Sequence, residues 1–227
     1  MVAMVLAVLA GVMVWRARKE VLAGGVFASG PVGTVPGPVV DEAKAVAQAK
    51  ETAVVAGGCF WGIQAVFQHV KGVISATSGY SGGTVKNPNY ETVSSGTTGH
   101  AESVQIVYDP SQVTYGELLR VFFSVAHDPT ELNRQGPDEG TQYRSVIFAN
   151  SESQKHVAEA YIAQLDHAGV YPRAIVTQVV GLQAFYPAEG YHQNYAATHP
   201  NDPYIVFNDA PKVANLRKEL PELYAAK

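Results

Sequence analysis

The chain has 227 residues, enough for one sizeable domain with extensions. Its 47% hydrophobic and 16% charged residues are an ordinary globular balance, and a net charge of −4 gives neither the basic excess of a nucleic-acid binder nor an acidic tail. A single cysteine, Cys59, excludes an intrachain disulfide and a zinc site built on several thiolates.

Residues 1–15 are uncharged and mostly apolar, and Arg16, Arg18 and Lys19 follow at once. The run is short against the roughly 20 apolar residues of a spanning helix, and its positive charges follow it, where a signal peptide has them first. Two readings fit 1–20: a membrane-anchor or export segment, or a mis-assigned start. By the positive-inside rule an anchor would leave the rest cytoplasmic. The compartment is therefore cytoplasmic, or tethered or exported if the segment is real. Residues 21–50 read as a Gly/Pro/Ala-rich linker, with a short alanine-rich helix over 41–50. The folded domain is expected over 51–227.

Residues 52–56 are β-branched and run into Gly57-Gly58, a strand ending in a turn. Phe60, Ile63, Phe67 and Val70 then fall at helical spacing, so a helix starts near Cys59 and stops before Gly72. Residues 72–78 read as a strand, and a Gly/Asn/Pro-rich loop follows through Tyr90. A strand over 102–108 ends at Asp109-Pro110. Thr114 with Glu117 forms a capping box that opens a helix through Phe123. A loop covers 127–141, and 143–149 reads as a strand. Ser151 with Gln154 is a second capping box, and the helix behind it stops at Gly169. Residues 174–180 read as a further strand, and 209–224 as a terminal helix. The core order is strand, helix, strand, strand, helix, strand. That predicts an α+β, ferredoxin-like two-layer sandwich: a split βαβ core, a mixed, mainly antiparallel sheet, and an added helix, strand and C-terminal extension.

Cys59 carries the chemistry. Paired glycines turn the chain from strand to helix, and Cys59 falls in the first helical turn. There the helix dipole and free N–H groups favour the thiolate, the reactive form. A packed, inert thiol among aromatics fits the position equally well. Glu102 opens a strand; a carboxyl group donates a proton at neutral pH only when burial raises its pKa. Tyr90 and Tyr143 can donate hydrogen bonds to a developing negative oxygen. Taken singly, Glu102, His100 and each of the 12 tyrosines fit ordinary structural places as well.

Five motifs occur in order: Gly58-Cys59-Phe60-Trp61-Gly62, Gly79-Tyr80-Ser81-Gly82-Gly83, Gly99-His100-Ala101-Glu102, His127-Asp128-Pro129-Thr130 with Asn133-Arg134-Gln135-Gly136-Pro137-Asp138, and Gly140-Thr141-Gln142-Tyr143-Arg144-Ser145. Over about 52–207 the chain resembles the A-type peptide methionine sulfoxide reductases, enzymes specific for the S epimer. The resemblance implies the following roles. Cys59 attacks the sulfoxide sulfur. Glu102 protonates its oxygen, and Tyr90 and Tyr143 bind that oxygen. Phe60 and Trp61 wall the pocket for the S-methyl group, and Asp138 supports the site. The substrates implied are oxidised proteins and peptides or free methionine sulfoxide, with no bound cofactor and no metal, acting as a monomer.

Many members of that family carry resolving cysteines near the C-terminus. Here His192-Gln193-Asn194-Tyr195 continues to Tyr204-Ile205-Val206-Phe207 without one. The expected cycle therefore uses one cysteine, whose sulfenic acid is reduced by an external thiol, thioredoxin or glutathione with glutaredoxin. Two rivals compete. A cysteine hydrolase or acyltransferase would pair Cys59 with His100 or His192 as base. A non-catalytic module would keep the fold and bind without turnover. No histidine pair has metal-ligand spacing with a carboxylate.

Overall fold

The computed structural model describes residues 34–226. The anchor or start-site segment over 1–20, and the linker up to 33, lie outside the described residues. Among those described, no helix is long and apolar enough to cross a membrane.

Strand β1 (Glu51–Ala56) leads into helix α1 (Phe60–Gln68) and strand β2 (Val73–Ser81). Helix α2 (Tyr90–Ser94) is a single capped turn in the predicted loop. Strand β3 (Ala101–Tyr108) leads to α3 (Tyr115–Val121), which continues as a π turn over Phe122–Ala126. A two-residue ladder, β4 (Arg134–Gln135) with β5 (Asp138–Glu139), folds the 127–141 loop on itself. Then come β6 (Val146–Ala149), α4 (Glu152–His167), β7 (Gln178–Gly181), β8 (Phe185–Pro187), α5 (Tyr195–Thr198) and α6 (Ala210–Glu219).

The main sheet runs β7-β6-β1-β3-β2-β8. Its inner four strands, β6-β1-β3-β2, are antiparallel throughout, and α1 and α3 make the two crossovers. This is the expected ferredoxin-like core. Helix α4 then adds β7 parallel to β6. Alternation along β1 explains the layering: Ala53 and Val55 join the large core under the helices, while Val54 and Ala56 face the other side with Val146 and Phe148. Phe60, Ile63 and Phe67 of α1, with Val70 just beyond its end, are all at most 1% exposed.

Several boundaries move. Strand β2 runs through Gly79 and Tyr80, expected in a loop, because β8 pairs there and a side chain at Gly79 would strike the Tyr186 carbonyl. The glycine marks close backbone approach, not a break. Tyr143 ends a 3₁₀ turn (Thr141–Tyr143) before β6 begins. In the second capping box Ser151 accepts from the Gln154 amide, but the Gln154 side chain reaches back to Asn150 instead of Ser151.

Residues 41–50 form no helix. The chain from Val35 instead lies along the domain as a strap. Val35 is 2% exposed, and the Pro36 carbonyl accepts from the Tyr161 hydroxyl. Asp41 accepts from the Thr114 hydroxyl and the Gly116 amide, so it serves the amino end of α3 together with Thr114. Asp41→Ala is expected to cost about 1 kcal/mol, as other lost caps do, and thermal denaturation of the full chain reads it as a lower Tm.

Candidate active site

Cys59 stands between β1 and α1, as the residue before the first helical one. The turn that puts it there needs Gly58. Its φ is +98°, and a Cβ at this position would lie 2.6 Å from the Cβ of Gln135. Gln135 is fixed in turn by hydrogen bonds to the Asp128 amide and carbonyl. The 127–135 loop is thereby packed against the nucleophile's turn.

Cys59 is 8% exposed. Burial pushes its thiol well above the usual range, and the carboxyl groups of Glu102 and Asp209 push it further. The Trp61 backbone N–H, aimed at the sulfur without closing a capping bond, and the Lys212 ammonium pull it down and do not win. Of the two readings of Cys59, the helix end contributes the Trp61 N–H, which acts toward the thiolate, but burial outweighs it. At rest the group is a thiol.

Glu102 lies on β3, paired with Tyr80 of β2, and is 2% exposed. Its Oε2 accepts from the Phe60 backbone N–H at 3.0 Å, which seats the carboxyl group beside the first turn of α1. Burial raises its pKa to about 8, the Phe60 amide opposes this, and Asp138 and Asp209 add to it. Glu102 is therefore mostly a carboxylic acid at pH 7 and holds a proton to give.

Tyr90 and Tyr143 come from different elements, one opening α2 and the other closing the 3₁₀ turn. Both feel Glu102, Cys59 and Asp138, and their own titration is pushed up mainly by burial. Neither hydroxyl is hydrogen-bonded to another described residue. Glu189 positions the first of them: its carboxylate accepts from the Tyr90 amide and from the Tyr80 hydroxyl, both at 2.8 Å.

Phe60 and Trp61 form the aromatic side of the site. Phe60 is fully packed, 5.0 Å from the His192 ring. Trp61 is half-buried and held on three sides. It stacks on Tyr195 at 3.8 Å, meets Tyr204 edge-on at 6.0 Å, and donates through Nε1 to His192 Nδ1 at 3.1 Å. Asp138 accepts from the Tyr204 hydroxyl. The segment carrying these aromatics is tied down by Gln193, which accepts from the Ser78 amide and Gln64, and donates to the Ser78 and Ala188 carbonyls. All seven residues singled out from the sequence therefore lie in one neighbourhood. His192, Tyr195, Tyr204 and Glu189, which support them, had no such role assigned. The signal for the three aromatic ones is an aromatic density over 191–207 that fits no helical or strand period; Glu189 lies just before it. Tyr195→Leu removes the stack and is expected to raise KM for a sulfoxide substrate by roughly 2- to 12-fold, from the ~0.5–1.5 kcal/mol of an aromatic pair, with little change in kcat.

The hydrolase reading fails on geometry. His100 accepts from the Gly83 amide on Nδ1 and bonds the Val85 carbonyl through Nε2. His192 spends Nδ1 on Trp61, and burial lowers its pKa. No histidine is hydrogen-bonded to Cys59 among the described residues, and no group of metal-ligating side chains is found there.

The model of the family described as "Peptide methionine sulfoxide reductase" matches residues 51–223. The chain belongs to the peptide methionine sulfoxide reductase family. It is 61% identical over 181 residues to "Peptide methionine sulfoxide reductase MsrA 2" of Mesorhizobium japonicum, covering 80% of this chain and 93% of that one. It is 53% identical to a protein of the same name from Synechocystis, covering 82% and 87%. Among solved structures, reduced Mxr1 from Saccharomyces cerevisiae superposes with a TM-score of 0.61 at 31% identity, covering 72% and 92%. Methionine sulfoxide reductase A of Corynebacterium diphtheriae gives 0.59 at 35%, covering 74% and 87%. The activity that goes with this membership is thiol-dependent reduction of methionine sulfoxide, and the hydrolase alternative has no support.

Proposed function

We propose that the chain reduces the S epimer of methionine sulfoxide through Cys59 as nucleophile and Glu102 as general acid. The observation that carries the residue roles is the buried Glu102 carboxyl, held by the Phe60 amide next to Cys59, where burial raises its pKa to about 8. A sulfoxide oxygen leaves poorly as an anion, so a poised acid is what the reaction requires. The Cys59 sulfur bonds to the sulfoxide sulfur while Glu102 gives its proton to the oxygen and takes up the thiol proton. The oxygen ends on Cys59 as a sulfenic acid and methionine departs. The sulfoxide gains two electrons and the thiol loses two. Tyr90 and Tyr143 donate to the oxygen as charge builds on it. Phe60 and Trp61 receive the S-methyl group, since aromatic faces hold methyl and sulfur well. Asp138 acts through Tyr204 to keep Trp61 in place.

This chain offers no second cysteine, so an external thiol closes the cycle. One thiol displaces water from the sulfenic acid to give a mixed disulfide. A second releases Cys59 and leaves the external pair oxidised. Thioredoxin, or glutathione with glutaredoxin, suits this role, and the cycle suits a compartment where thiols stay reduced. Incubating the full chain with separated S and R epimers of a blocked methionine sulfoxide, with dithiothreitol, tests the reading. Reduction of the S epimer alone is expected. Failure of folded protein to reduce either epimer would sink it.

A further inference from the structure

The C-terminal helix brings into the site an ion pair that none of the steps above uses. Asp209 is fully buried, and its Oδ1 accepts from Lys212 Nζ at 3.1 Å. Its Oδ2 has no hydrogen-bond partner among the described residues. A buried carboxylate with one partner and an unsatisfied oxygen is costly, and an apolar pair would fill the same space at less expense. Its location gives it a use. The pair rests on the first turn of α1: a methyl group on Gly62 would overlap the Asp209 carboxylate and come within 2.9 Å of Lys212 Nζ. Gly62 is three residues after Cys59.

The surroundings of the sulfur sharpen the point. The acidic groups that face Cys59 are Glu102 from β3 and Asp209 from the start of α6. Lys212 of α6 supplies the positive charge, and the Trp61 amide faces it from α1. Around the pair itself stand Asp138, whose carboxyl group acts on Asp209, the Tyr204 hydroxyl, which feels Asp209, His127, which feels Lys212, and Gly62. A thiolate forming at Cys59 therefore meets two carboxyl groups. Glu102 is neutralised by its own proton at neutral pH; burial pushes the Asp209 carboxyl up as well, and Lys212 is the charge that opposes this and keeps Asp209 paired.

We infer that Asp209 and Lys212 form a positioning pair for the nucleophile, seated on Gly62 and balancing the charge that Cys59 meets as it becomes a thiolate. Lys212 offsets the repulsion from Asp209, and Asp209 anchors the ammonium against the first turn of α1. The inference rests on Cys59 being the nucleophile of sulfoxide reduction.

The test is the pH profile of iodoacetamide alkylation at Cys59, the chain's single thiol, in the full-length protein. The thiolate fraction at a fixed pH is read relative to each variant's alkaline plateau, which separates charge from access. Asp209→Asn leaves the ammonium unopposed and is expected to raise that fraction on the order of three- to tenfold. Lys212→Met leaves the carboxylate unopposed and is expected to lower it by a similar factor. Lys212→Arg keeps the charge and should follow the wild type. Unchanged profiles in both charge-removing variants, or shifts in the same direction, would overturn the inference. If Asp209→Asn does not fold, the comparison of Lys212→Met with Lys212→Arg decides alone, and identical profiles overturn it. Alkylation requires no sulfoxide. Variants that show this charge pattern, in a protein whose wild type reduces no sulfoxide, would refute the functional reading separately.

Discussion

Glu102→Gln is expected to lower kcat for sulfoxide reduction by about 10²- to 10⁴-fold, the usual contribution of a positioned general acid. Glutamine can still accept from the Phe60 amide, so the turn before α1 should hold while the transferable proton is lost. The wild-type rate should fall as pH rises through about 8, where Glu102 ionises, and the variant should lack that limb. The same substitution should make the protein more stable at alkaline pH. The folded-state pKa of Glu102 lies above the ordinary carboxylate value, so the unfolded chain releases this proton first as pH rises. Stability is therefore lost between about pH 4.5 and 8 and stays low above that. A gain in Tm at pH 9 together with a loss of kcat would mark Glu102 as a group held for chemistry at the expense of stability. A variant with near wild-type kcat and an unchanged alkaline limb would remove it from the acid role.

Cys59→Ser is expected to bring turnover down to the uncatalysed background with either epimer, while sulfoxide binding beside Trp61 persists. A serine hydroxyl cannot take and pass on the oxygen as a sulfenic acid does. Because burial raises the Cys59 thiol, the resting wild-type protein should also react slowly with alkylating agents at pH 7. The thiolate then belongs to the substrate complex, where Glu102 receives the thiol proton as it gives up its own. Fast alkylation at pH 7 without substrate would contradict that picture.

The core of the fold was readable because its elements carry strong local signals. The stripe Phe60, Ile63, Phe67 and Val70 has a single period, and Thr114 with Glu117 forms a reciprocal cap that the structure reproduces. The failures come from tertiary contacts that overrode local cues. Residues 41–50 have helical composition, but Asp41 is drawn off to the amino end of α3. Gly79 looks like a breaker and sits mid-strand because β8 packs against it. Tyr143 falls in a β-rich run, yet the 3₁₀ turn that precedes β6 claims it. The site divides in the same way. Cys59, Phe60 and Trp61 are contiguous, Glu102, Asp138 and Tyr143 sit in recognisable motifs, and Tyr90 ends the Gly/Asn/Pro-rich loop between two of them. His192, Tyr195, Tyr204 and the Asp209–Lys212 pair act through contacts made 130 or more residues from α1 in the chain, or with the 127–141 loop. Local periodicity has no access to such contacts. The two readings of Cys59 stay open in the sequence for a related reason: its place at a helix end is a sequence property, whereas its burial is a property of the assembled fold.

The most direct test is a single turnover without reductant. The full chain is mixed with excess S-epimer sulfoxide, the methionine released is counted, and the intact protein is weighed by mass spectrometry. One methionine per chain and a single added oxygen located on Cys59 is the predicted result. An unmodified chain with no methionine released, or a disulfide-linked dimer as the main product, would contradict the one-cysteine account.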